Sequence, residues 1–368
     1  MTEQRDDRER RHRLLGVKLR ALVAEHLGVD VETEPEGFGA GAATLVGGAA
    51  WVLVDGPAQR RLGAALAWAV RRGASSLHVV ADEGGGTLAR RAGGFSFPVS
   101  VWFAHERTLL PVVAEEVEQR PAPDAHLAMA PMIDEAGATP RVEHGVVTGE
   151  VRGLEVCRVV DEPTTGNLVE LGDLPFAPPR APGDGGVVLE VGVGANDREA
   201  FQLVHGDVPT SEALAGVVEA VRRHRGGRAA RHPLDRMAPE RFLRWRAEVD
   251  PSLIGLASLE AAAPPVARRT MKQPEPCVGR GVDLDGRPSV AVFSAGVDLD
   301  LAPFVADVVV GLRREAEAEA DPDAEAVRLL VVVPERDALP ITRDLLALVD
   351  HPSELVTLDA EPAAEATA

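Results

Sequence analysis

Two stretches of this chain repeat one alternation of short apolar runs with amphipathic helical spacing, and that alternation leaves few folds open. The first reads as strand WVLVDG (51–56), helix AQRRLGAALAWAVRRG (58–73), strand SLHVVAD (76–82), helix TLARRAGGF (87–95) and strand PVSVWFA (98–104). The second reads as strand SVAVFSAG (289–296), a helix around LAPFVADVVVGLRR, strand RLLVVVPE (328–335), helix PITRDLLALV (340–349) and strand SELVTL (353–358). Apolar runs joined by helices predict a largely parallel sheet, because parallel neighbours need a crossover long enough to hold a helix.

The two stretches agree in element order, and in a proline near the start of the third strand, once the acidic insert EAEAEADPDAE (315–325) is set aside. The expected fold class is therefore α/β, with two Rossmann-like three-stranded units that read as an internal duplication and flank a middle α+β segment. Expected boundaries are 11–118, 141–259 and 278–358, followed by an acidic, disordered tail at 359–368. Spacing of Leu14, Val17, Leu22 and Val23 predicts an amphipathic helix from about Arg11. GFGAGAATLVGG reads as a glycine-rich connection. Proline- and alanine-rich stretches at 120–140 and 260–277 read as irregular links. In the middle segment the expected elements are strands at 149–160 and 167–174, a helix at 211–225 and another starting at Pro239.

A hydrophobic content of 45% over 368 residues supplies real cores, while aromatic residues make up 4% and tyrosine is absent, so stacking platforms for single-stranded nucleic acid are scarce. The net charge of -19 opposes a generally polyanion-binding or membrane-binding surface. Any such site has to be local. Cys157 and Cys277 lie far apart without metal-ligand spacing, which predicts neither a disulfide framework nor a zinc site and fits a reducing cytoplasm. Neither a secretion signal nor a membrane span is expected.

Chemistry is sought first in VVLEVGVGANDREAFQLVHGD (187–207), an apolar strand running through glycines into a helix. VLEVGVGAN resembles the first motif of S-adenosylmethionine-dependent methyltransferases, which implies cofactor contacts at Glu190, Gly192 and Gly194, although Asn196 stands at the third glycine position. The same strand, with an earlier one carrying Glu155, is similar to the PD-(D/E)XK nuclease arrangement. That resemblance implies Glu155 and Glu190 as ligands of a magnesium ion that activates water. Gly192 occupies the lysine position of that motif, and the chain's lysines, Lys18 and Lys272, lie elsewhere. A plain reading also accounts for every residue: Gly192 and Gly194 relax a tight turn, Asn196 or Asp197 caps the helix, and Glu190 meets solvent or an arginine. His205 then sits at the helix C-terminus with Asp207 in the following turn, and Asp298 or Asp300 caps a later helix.

Nine arginines fall between Arg222 and Arg246 against Asp235 and Glu240. Arg222, Arg223, Arg225, Arg228 and Arg231 are expected to form an exposed basic face that contacts nucleic acid or an acidic protein surface. The leading expectation is a cytosolic binding or regulatory protein with no cofactor, no membrane contact and a compatible homo-oligomeric state. A metal-dependent nuclease and a methyltransferase remain the alternatives.

Overall fold

The computed structural model describes residues 2–39, 41–117, 120–161, 186–194, 198, 210–226, 232–268, 275–319 and 326–359. Two units divide the chain, Met1–Val117 with Asp285–Thr357, and Glu118–Leu284 with Leu358–Ala368. The N- and C-terminal α/β stretches thus belong to one unit, and the middle segment forms the other.

The first unit opens with a six-stranded sheet in sequence order: β1 (Glu36–Phe38), β2 (Gly41–Val46), β3 (Ala49–Val54), β4 (Ser76–Ala81), β5 (Val99–His105) and β6 (Thr108–Pro111). β3, β4 and β5 are parallel, as their helical crossovers Leu62–Arg71 and Gly85–Ala92 require. β1, β2 and β6 extend the sheet by antiparallel pairing. The glycine-rich connection expected before Ala49 is therefore strand, a correction with a steric cause. A Cβ at Gly41 would lie 1.8 Å from the Leu53 carbonyl oxygen, so the low strand propensity of glycine is overridden by close backbone approach. Helix Thr2–Leu27, longer than the spacing predicted, lays Leu19, Leu22 and Val23 over Ala42, Trp51, Leu53 and Val80.

The second unit is built on an antiparallel meander, β7 (Thr139–Glu143), β8 (Val146–Val151), β9 (Leu154–Asp161) and β10 (Val187–Val191), in the order β10-β9-β8-β7. The single strand expected at 149–160 is two strands joined by Arg152 and Gly153, both at positive φ (50° and 73°). Such turns favour Asn-Gly or Asp-Gly, so Arg-Gly carried no turn signal in the sequence. One face of the meander packs on helices Ala130–Glu135 and Thr210–His224 through Ile133, Val147, Val156, Leu214 and Val218. Helix Pro239–Val249 follows, then β11 (Leu256–Ala262) and β12 (Cys277–Asp283), which pair antiparallel where residues 260–262 and 277 were expected in an irregular link. The strand expected at 167–174 and residues 360–368 of the tail lie outside the described residues.

The chain returns to the first unit with β13 (Pro288–Phe293), β14 (Arg328–Val333) and β15 (Ser353–Thr357), again mutually parallel with crossover helices Leu301–Glu319 and Pro340–Leu346. Register repeats with order. Ala50 faces Leu77, which faces Val99; Val290 faces Leu329, which faces Ser353. Phe95 and Val349, each just ahead of the third strand of its set, form an antiparallel bridge with Ser96 N donating to Leu348 O (2.8 Å) and Asp350 N to Gly94 O (2.9 Å). Polar pins join the same two stretches: buried Asp307 accepts from Arg90 (2.7 and 3.1 Å) and Arg91 (3.2 Å). Asp300 accepts from Gly63 N (2.9 Å), capping the crossover helix of the other stretch, while Asp298 caps Asp300 N (2.9 Å). The fold is mixed α/β, and no helix among the described residues is long and apolar enough to cross a membrane.

Candidate functional site

Glu155 on β9 and Glu190 on β10 do converge, and the group between them is an arginine. Arg198 places Nη1 3.0 Å from Glu155 Oε1 and Nε 3.3 Å from Glu190 Oε2. Arg158 adds a fork to Glu155 at 3.0 and 3.2 Å. The geometry follows from the glycine turn. Gly192 (φ 137°) keeps one more ladder bond, from its N–H to Val156 O at 2.8 Å, and Gly194 (φ 86°) accepts from Arg198 N at 3.0 Å. With its N–H on Gly194 O, Arg198 lies over both carboxylates, where two guanidinium charges meet two carboxylate charges. Among the described residues no group of three or more His, Cys, Asp or Glu side chains could hold a metal ion. Asn196, Asp197, His205, Asp207 and Lys272 lie outside the described residues.

The arginine-rich stretch separates into buried and exposed members. Arg225 is fully buried, which corrects its placement on an exposed basic face. Its guanidinium donates to four backbone carbonyls, Arg152 O (2.8 Å), Leu234 O (2.6 Å), Met237 O (2.7 Å) and Ala238 O (3.0 Å), and lies over the Phe242 ring. Burial lowers its pKa to about 10, against the opposing pull of the Glu240, Asp235 and Glu150 carboxylates. Arg241 and Arg244 are buried too, because three- and four-residue spacing on helix Pro239–Val249 aligns them with Glu248 over β7 and β8. Glu150 accepts from Arg241 and from Arg244 (2.9 Å), with Arg141 at 3.6 Å. Burial opposes its ionisation, yet these three arginines together hold its pKa at about 2. Burial raises the pKa of Glu240 and Glu248 and pushes the thiols of Cys157 and Cys277 up to about 12, so neither cysteine is a nucleophile at neutral pH.

Arg222 and Arg223 are exposed. Arg223 pairs with Glu219 one turn earlier at 3.2 Å, whereas Arg222 reaches back to the Gly137 carbonyl. Arg228 and Arg231 lie outside the described residues.

Arg222 also lines a cleft of about 280 Å³ within the second unit, together with Gly137, Thr139, Glu150, Arg152 and Trp245. Arg152 projects from the β8–β9 turn, donates to Arg225 O, and lies 5.4 Å from the Trp245 ring centroid, a cation–π contact. Trp245 meets Phe242 at 5.4 Å as well. A Cβ at Gly153 would lie 2.2 Å from the Arg241 carbonyl oxygen, so the lack of a side chain there lets the turn lie against helix Pro239–Val249. Neither Arg152 nor Arg222 has a carboxylate within ion-pair distance among the described residues, although Arg141, Arg158, Arg198, Arg241 and Arg244 of the same unit all do. Sequence reasoning passed over Arg152 because it stands seventy residues before the cluster. Its one local sign, an arginine before glycine between apolar runs, is not a recognised turn pair.

Comparisons with protein-family models, with curated proteins and with solved structures each returned no match.

Proposed function

We propose that this is a binding protein, and that its second unit captures an anionic group of its ligand or partner in the Arg152–Arg222 cleft. The observation that carries this reading is the placement around one cleft of two arginines that have no carboxylate partner among the described residues, in a chain whose net charge is -19. With so many carboxylates available, an arginine left free of them retains its attraction for an external anion. Glu150 adds little repulsion there, because Arg241 and Arg244 already engage its charge. The buried thiols and the carboxylate pair neutralised by Arg198 favour binding over catalysis. Under this reading the first unit is a scaffold of two duplicated Rossmann-like stretches.

Equilibrium dialysis of the full-length protein against radiolabelled inorganic phosphate at low salt tests the reading. Wild type is expected to bind and to lose affinity as salt rises. The Arg152→Asn/Arg222→Glu double variant is expected not to bind, and equal binding by the two proteins contradicts the assignment.

The convergence of Glu155 and Glu190 keeps a metal-dependent nuclease as the second reading. It requires Arg198 to leave the space between them.

A further inference from the structure

We infer that the Arg152–Arg222 cleft binds the dianionic head of a phosphate monoester carried by a small molecule. The inference deepens the binding reading above and rests on it.

Charge selects the head group. Two guanidinium groups line the cleft, and the carboxylate beside them, Glu150, is held by Arg241 and Arg244. A doubly charged oxyanion balances the pair, while a carboxylate or a sulfate monoester leaves one positive charge unmatched. Geometry agrees, because a guanidinium carries five N–H donors in a planar fork that matches phosphate oxygens. Arg152 gives one contact to Arg225 O and Arg222 one to Gly137 O, which leaves N–H groups on both for a ligand.

Arg152 is also held ready. Its backbone sits at φ 50°, a conformation costly for a residue with a Cβ, in a turn where asparagine or glycine fits more easily. Trp245 supports one side of its guanidinium and the Arg225 carbonyl fixes one N–H. A strained position whose side chain is fixed by two separate contacts at a cleft is how a binding group is pre-organised. Gly137 has a matching part at the other end. A Cβ there would lie 2.7 Å from Arg222 Nη2, so its absence lets the guanidinium lie against the backbone.

Size and shape select the carrier. About 280 Å³ is near the lower limit for small-molecule sites, enough for a phosphate and a small organic group. Trp245 already contacts Phe242 and Arg152, so its ring is not a free platform for a nucleic-acid base. The net charge of -19 also repels a chain of phosphates more strongly than a single one.

Calorimetric titration of the full-length protein with phenyl phosphate, phenyl sulfate and benzoate provides the test, with a 5′-phosphorylated oligonucleotide and a phosphoserine peptide as carrier controls. Near neutral pH phenyl phosphate is expected to bind at least about tenfold tighter than phenyl sulfate, and that preference is expected to shrink at about pH 5, where the phosphate is a monoanion. Arg222→Gln and Arg152→Asn should each weaken phenyl phosphate binding by about tenfold to a hundredfold. Asparagine suits the turn, so the second variant keeps the hairpin folded. Equal affinity for the phosphate and sulfate esters, or unchanged affinity in both variants, overturns the proposal and leaves anion binding in general standing. Tighter binding of the oligonucleotide or the peptide overturns the small-molecule carrier. If no anion binds, the binding reading itself fails.

Discussion

Arg152 and Arg225 each donate a guanidinium N–H to the other's backbone carbonyl, with Arg225 Nε 2.8 Å from Arg152 O. The β8–β9 turn and the end of helix Thr210–His224 are thereby latched to each other. Arg225 additionally gathers the carbonyls of Leu234, Met237 and Ala238, of which Ala238 is held at a positive φ of 43°. Arg225→Met keeps the apolar stem but leaves four carbonyls without their donor. We expect a loss of about 3–5 kcal/mol in denaturant unfolding. Arg225→Lys should recover little, since a point charge on a flexible stem cannot reach four acceptors in a plane.

Arg198 occupies the place a metal ion would need between Glu155 and Glu190, so the full-length protein is expected to leave DNA and RNA intact in the presence of magnesium or manganese. Gel assays over extended incubation check this, and cleavage lost in Glu190→Ala would establish the nuclease reading. Arg198→Ala should cost about 2–4 kcal/mol, because Glu155 is buried and loses one of its two partners.

Much of the architecture could be read before the structure, and the reasons are specific. Runs such as WVLVDG and RLLVVVPE bury both faces of a parallel strand, so their apolar continuity was a strong signal. The β8–β9 hairpin was hidden because Arg152–Gly153 lacks the usual turn residues, and β2 because Gly41 is chosen for backbone approach instead of strand propensity. Glu155 and Glu190 could be identified as neighbours, whereas the bridging Arg198 could not, since nothing in local spacing shows where the turn delivers it. Composition identified the basic cluster correctly as a cluster, but not the fates of its members. Arg225 and Arg244 serve the interior while Arg222 faces the cleft, a division set by helix phase and by Arg152 seventy residues away.

Acid should destabilise the second unit. The folded pKa of Glu150, about 2, lies below its ordinary 4.5, so its ion pairs contribute stability that is complete above 4.5 and is lost as pH falls toward 2. The loss amounts to about 3 kcal/mol. Glu240 acts in the opposite sense. Burial raises its pKa against the opposing charge of Arg268, 3.7 Å away, and neither carboxylate oxygen has a hydrogen-bond partner among the described residues, so its contribution declines as pH rises through its folded value. Glu240→Gln should therefore stabilise the protein at neutral pH by on the order of 1 kcal/mol, and Glu150→Gln should remove most of the acid-side slope. Unfolding curves across the pH range read both effects.

Asp307 joins the two α/β stretches of the first unit by accepting from Arg90 and Arg91, with all three side chains buried. Asp307→Ala leaves two guanidinium groups without their shared carboxylate, and a loss of about 3–5 kcal/mol is expected in thermal or denaturant unfolding. Both stretches should melt together, because Asp300 and the Phe95–Val349 bridge join the same pair. Separate transitions for the two would contradict this coupling.

The most direct measurement of the central claim is arginine modification by phenylglyoxal, read by peptide mass spectrometry with and without a saturating phosphate monoester. The account predicts that the ligand protects Arg152 and Arg222, while Arg223, which is exposed beside Arg222 and paired with Glu219, is modified at an unchanged rate. Equal modification of Arg152 and Arg222 in the presence and absence of the ligand, or protection that extends equally to Arg223, would contradict it.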